Sequence, residues 1–214
     1  MKQKIARWLL SLAGWTLEGA RPSEPRYVLI AAPHTSNWDF PFMLLYAAAF
    51  DIKVTWMGKH SLFAWPLGWF MRKMGGMPVY RHKNGNLVAS MVETFGTVDN
   101  LALMVPTEGT RDRTEYWKSG FYHIAREANV PIVPSYLDFS QKRGGFGPAL
   151  MVSADVVADM QYFRDFYQGM AGKFPANSGP IRLKEEDTAQ EALVPLANGQ
   201  STPQRHTPCS ASPP

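Results

Sequence analysis

His34 and Asp39 close the polar run His34-Thr35-Ser36-Asn37-Trp38-Asp39, which follows the apolar stretch Arg26 to Ala32. Five positions along a continuous helix would turn two side chains about 140° apart. Across a strand–loop–helix junction the chain doubles back and can bring them together. An aspartate against a histidine fixes the imidazole tautomer and stabilises the imidazolium. The other ring nitrogen can then draw a proton from a hydroxyl. If that hydroxyl attacks a thioester directly, no serine or cysteine nucleophile on the protein is needed. A loop histidine beside a helix-capping aspartate is the plainer reading of the same spacing. The second polar loop, Glu108-Gly109-Thr110-Arg111, follows the apolar run Leu101 to Val105. Gly109 permits close backbone approach, Thr110 offers a hydroxyl, and Arg111 offers a planar fork that matches phosphate. Glu108 fits an anion site only if it orients Arg111 or substrate hydroxyls. The alternative is a glycine turn with a flanking ion pair.

The elements around these loops alternate in type. Arg26 to Ala32, Val54 to Met57, Pro78 to Tyr80, Leu101 to Val105 and Ile132 to Leu137 read as strands. Helices are expected from Phe40, with Asp39 as N-cap and Pro41 in the first turn, and over Asn86 to Phe95, Ser119 to Ala128 and Asp155 to Met170. This alternation predicts an α/β fold with a largely parallel central sheet flanked by helices. Ligands of such sheets gather at the carboxyl ends of the strands, so both loops should open on one edge. Trp56 to Arg72 is apolar and aromatic, broken at Pro66. From Pro175 onward Ser, Pro, Thr, Gln, Asn and Ala dominate, which predicts a disordered tail over 175–214 behind a domain of 21–174.

Residues 1–20 form a third unit. Ile5, Trp8, Leu9, Leu12 and Trp15 recur at helical spacing beside Lys2, Lys4 and Arg7. An amphipathic membrane-interface helix fits best. A helix packed on the core and a signal segment are the alternatives, and no small-x-small cleavage site follows a clean apolar run. The longest uncharged apolar stretches, Phe40 to Phe50 and Ser61 to Met71, fall short of the roughly 20 residues a membrane span needs. One cysteine among 214 residues excludes an internal disulfide or multi-cysteine metal site and suits a cytoplasmic setting. The net charge of +4 suits an anionic surface or substrate. No run of like charges points to nucleic acid. The absence of a G-x-S-x-G elbow argues against a serine hydrolase.

The two loops, H-x-x-x-x-D over His34–Asp39 and E-G-T-R over Glu108–Arg111, resemble those of the glycerolipid acyltransferases related to 1-acylglycerol-3-phosphate acyltransferase. Two weaker blocks stand in the same order: Gly76-Met77-Pro78-Val79-Tyr80-Arg81 and Val130-Pro131-Ile132-Val133-Pro134. The resemblance runs from about Tyr27 to Asp138. It departs from the family where Pro106-Thr107 replaces the common Phe-Pro pair, and where the second block lacks the usual aromatic-Ile centre. The resemblance implies that His34 is the general base and that Asp39 orients it. An acceptor hydroxyl attacks the thioester of acyl-CoA or acyl carrier protein. Arg81, Glu108, Gly109, Thr110 and Arg111 hold the acceptor and its phosphate. No metal or redox cofactor is implied. The default acceptor is 1-acylglycerol 3-phosphate, in phospholipid biosynthesis at the cytoplasmic side of a membrane. A lyso-ornithine lipid or another lysolipid is the alternative acceptor, and a non-catalytic lipid-binding module the alternative function. Leu62, Phe63, Trp65, Leu67, Trp69 and Phe70 would line an acyl groove or dip into the bilayer.

Overall fold

Successive side chains of a strand point to opposite faces, and β2 (Arg26–Ala31) is apolar on both. Val28 and Ile30 enter one core cluster with Leu103 and Phe121; Tyr27 and Leu29 enter another with Ala102, Met104 and Trp56. Such two-sided burial is what a strand inside a helix-covered parallel sheet requires. The computed structural model describes residues 1–79, 87–153 and 155–188. It contains β1 (Thr16–Glu18), β2, β3 (Val54–Lys59), β4 (Gly76–Val79), β5 (Leu101–Pro106), β6 (Ile132–Asp138) and β7 (Arg143–Phe146) in one sheet, ordered β1-β7-β6-β2-β5-β3-β4. All neighbours are parallel except β6 and β7.

The helices are α1 (Lys2–Leu12), α2 (Asp39–Ala49), α3 (Gly68–Lys73), α4 (Leu87–Thr97), α5 (Gly120–Ala128) and α6 (Val156–Phe166). Buried residues of α1 and α2 join the Tyr27–Leu29 side of the core, whereas those of α4, α5 and α6 join the Val28–Ile30 side. The chain therefore leaves β2 over one face and β5 over the other. These two strands are parallel neighbours, with Ala31 level with Pro106. Their following loops part at one sheet edge and leave a crevice, the usual ligand position in open α/β sheets.

Three expectations need correction. The first 20 residues are not one helix: α1 ends at Leu12, and Thr16–Glu18 becomes an edge strand beside β7. Gly14, at φ +75°, makes the turn between them. The chain also stays packed beyond 175. Leu183 is fully buried, the Trp117 N–H donates to the Arg182 carbonyl at 2.9 Å, and Arg164 pairs with Glu186 at 2.8 Å. Two apolar contacts, Leu183 and the partly buried Ile181, and a few polar ties hold residues 175–188, a pattern with no periodicity to see in sequence. Finally, Asp39 is the first residue of α2 and not its cap; Trp38 occupies the cap position without a side-chain bond.

Candidate active site

The Asp39 carboxylate does not cap its helix because it is engaged elsewhere. Oδ2 lies 3.0 Å from His34 Nδ1 and accepts the Ser36 backbone N–H at 3.0 Å. The tight loop is closed further by the Trp38 N–H donating to Ser36 Oγ at 3.1 Å. An ionised carboxylate only accepts hydrogen bonds, so Nδ1 carries the imidazole proton and Nε2 is left as the base. Asp39 is buried whereas His34 remains partly open and lines a cavity. The loop thus supplies a fixed, correctly protonated histidine at an accessible position.

Glu108 stands behind this pair. It is 4% exposed, and its Oε1 accepts the His34 backbone N–H at 3.2 Å. Burial pushes its carboxyl above the ordinary 4.5, against the lowering effect of the His34 amide. Asp39 Oδ1 and Glu108 Oε2 are buried without a hydrogen-bond partner among the described residues. The Asp39 carboxylate against Nδ1 can supply counter-charge for an imidazolium formed when Nε2 takes a proton. The bond from Glu108 to the His34 amide ties the second motif to the His34 loop.

Of the E-G-T-R residues, only Arg111 lines the cavity. Gly109 has φ +67°, and a Cβ there would come within 3.0 Å of the Lys118 side chain, so this turn requires glycine. Thr110 Oγ1 accepts the Asp112 N–H at 3.3 Å and shapes the turn. Arg111 donates to Asn37 Oδ1, which carries the guanidinium across to the histidine loop. Asn37 stood in the first motif without a role; sequence spacing could not show a contact made between two loops. Arg81 lies outside the described residues. His34, Asp39, Glu108, Gly109, Thr110 and Arg111 are otherwise brought together at the ends of β2 and β5.

The cavity of about 550 Å³ extends from His34, Asp39 and Arg111 between α2 and the sheet. That volume lies within the roughly 300–1,000 Å³ of small-molecule sites. Met43, Ala47, Trp56, Leu62 and Met71 give it an apolar wall, and Lys59 adds a cation. From the Trp56–Arg72 segment, Leu62 lines the cavity and Phe63 is buried, while Trp65, Leu67, Trp69 and Phe70 are exposed. The arrangement places a base and a cation at one end of an apolar slot, suitable for an amphiphile whose hydroxyl lies near its charged end.

Comparison with known proteins bears on the fold and the family. The structure resembles the crystal structure of the 1-acyl-sn-glycerophosphate (LPA) acyltransferase PlsC from Thermotoga maritima, with a TM-score of 0.54 and 15% identity over 94% of this chain and 80% of that one. At that identity the likeness concerns the fold. No curated protein matches the sequence. The acyltransferase family model matches residues 15–138, which include both loops and β2 through β6. The chain belongs to the acyltransferase family.

Proposed function

We propose that this acyltransferase moves a fatty acyl group from a thioester, acyl-CoA or acyl carrier protein, to the hydroxyl of a lysophospholipid, with 1-acylglycerol 3-phosphate as the first acceptor. The observation that carries the proposal is the 3.0 Å His34–Asp39 contact at the end of an apolar cavity that Arg111 also lines. His34 Nε2 takes the acceptor's hydroxyl proton as its oxygen attacks the thioester carbonyl. The tetrahedral intermediate collapses with loss of the thiolate. The imidazolium returns the proton to that leaving group, and an ester and a free thiol result. Arg111 meets the acceptor phosphate, and the apolar wall takes a hydrocarbon chain.

The acceptor lives in a bilayer, and the exposed apolar side chains support work at its surface. Trp8, Leu12, Trp65 and Trp69 are all more than 60% exposed. No helix among the described residues is long and apolar enough to cross a membrane. The test is an acceptor screen with labelled acyl-CoA and acyl carrier protein, scored by product mass and thiol release. Ester formation on 1-acylglycerol 3-phosphate supports the proposal. Ester formed only on a different lysolipid reassigns the acceptor, and thiol release without any ester would identify a hydrolase.

A further inference from the structure

The segment after α6 reaches back to the catalytic loop and is clamped on both sides. The Ala171 N–H donates to Asp138 Oδ1 at 3.3 Å, and the Phe139 N–H donates to the Ala171 carbonyl at 2.9 Å. Three residues on, the Phe174 N–H donates to Thr35 Oγ1 at 3.1 Å. Gly172 lies so close to the loop that a Cβ there would stand 2.5 Å from Thr35 Oγ1 and 3.3 Å from Pro33. Lys173, between these fixed points, is exposed, and its Nζ sits 4.7 Å from the centroid of the Trp38 ring. Trp38 immediately precedes Asp39, the partner of His34.

Lys173 therefore mirrors Arg111. Asn37 holds the guanidinium, and the next residue, Trp38, holds the ammonium. Both partners are neutral, and neither cation is ion-paired among the described residues. A ring face orients an ammonium without cancelling its charge. The two cations are thus held by adjacent residues of one loop, Asn37 and Trp38, and an anion bound at that loop can be met by both. A phosphate monoester near neutral pH carries up to two negative charges and three acceptor oxygens, enough for both.

We propose that Lys173 is a second phosphate-binding residue, acting with Arg111 on a phosphate monoester at the mouth of the site. The inference rests on the phosphate-bearing substrate proposed above. That monoester belongs either to the lysophospholipid headgroup or to the 3′-phosphate of CoA.

The test uses the full chain with Lys173→Gln and Lys173→Arg. If Lys173 binds the headgroup, Lys173→Gln raises the acceptor KM about tenfold, equivalent to about 1.4 kcal/mol, and chiefly spares kcat. If it binds CoA, the donor KM moves instead. In either case Lys173→Arg restores most of the loss, which a purely packing role would not produce. An independent arm follows acetylation of Lys173 by limiting acetic anhydride, read by peptide mass spectrometry. Glycerol 3-phosphate should slow it in the first case and adenosine 3′,5′-bisphosphate in the second, with glycerol inert in both. Protection in a protein that fails to acylate 1-acylglycerol 3-phosphate would keep the phosphate site and retire that acceptor. Unchanged KM for both substrates in Lys173→Gln, or equal acetylation with and without the phosphates, overturns the proposal.

Discussion

At the scale of single residues, Glu108 is the buried carboxyl whose charge must be reconciled with its surroundings. Its folded pKa is raised above the ordinary 4.5, so between those two values the native state binds the proton more tightly than the unfolded state. Stability therefore falls as pH rises through that window. Glu108→Gln removes this dependence. Thermal melts should show the Tm of Glu108→Gln gaining on the wild type as pH rises from 4.5, and parallel curves would reject the assignment. Glu108→Ala leaves the His34 N–H without its acceptor, a loss of about 1–3 kcal/mol for a buried donor. Because the tie runs to His34, the proposed base, kcat should fall more than the acceptor KM rises. His34→Ala should lower turnover about 100-fold to 10,000-fold with the melt retained; near-full turnover by a folded variant would remove His34 from the mechanism. The His34–Asp39 pairing was legible because the loop spacing allows the contact and the order of the two motifs, through the family resemblance, favoured it over a plain helix cap. Thr35 and Asn37 were not, since their partners Phe174 and Arg111 come from distant parts of the chain.

Among the elements, the strands with strong apolar runs were legible and the sheet edge was not. Arg143–Phe146 reads Arg-Gly-Gly-Phe and Thr16–Glu18 is only three residues long, so neither shows strand periodicity. Side chains at the end of β6 supply what these edge strands lack. Asp138 is fully buried and accepts from Arg143 Nε at 3.1 Å and Ser140 Oγ at 2.6 Å, and it also binds the Ala171 amide. Glu18 on β1 accepts the Tyr136 hydroxyl of β6 at 2.5 Å and pairs with Arg143 at 3.3 Å. Desolvation alone would raise the Asp138 pKa, but the bonds from Ser140, Arg143 and Ala171 outweigh it and hold the carboxyl below 3.8. A depressed carboxylate stabilises the fold above its unfolded pKa, and that contribution disappears as pH falls through the folded value. Asp138→Ala should destabilise by about 3 kcal/mol, the scale for breaking a buried pair. Its penalty should shrink in acid. A chemical denaturation series at neutral and low pH checks both, and a constant deficit would show that packing, not charge, sets the loss.

Across the whole molecule, the two sides of the sheet end differently. On the side of α1 and α2, the helix α1 buries only Ala6 and Leu10 and ties Arg7 Nε to the Ala49 carbonyl at 3.2 Å. Of the sequence stripe, Ile5, Trp8, Leu9 and Leu12 point outward, whereas Trp15, beyond the end of α1, is buried in the core. Phe63 packs into the same core from a 3-10 turn at His60–Phe63, and beyond it Trp65 is 94% and Trp69 70% exposed. Nearby cations lie over aromatic rings, with Lys73 Nζ 4.9 Å from the Trp69 ring centroid and Arg72 5.4 Å from that of Phe63. Exposed indoles beside cations suit the apolar–polar boundary of an anionic bilayer, where aromatic bodies sink and ammonium groups stay with the headgroups. Deleting α1 would also remove the buried Ala6 and Leu10, so point substitutions are the cleaner probe. Trp8→Ser and Trp65→Ser each give up an apolar contact with lipid worth roughly 1.5 kcal/mol or more, about tenfold in partitioning. Both positions are exposed, so the melts should match the wild type. Co-sedimentation with vesicles containing phosphatidylserine should drop for each variant and further for the pair, and activity should fall on vesicle-borne acceptor more than on detergent-dispersed acceptor. High salt should weaken wild-type binding in part, because only the headgroup attraction is screened. Sedimentation of the double variant equal to the wild type would mean that these side chains do not meet the lipid.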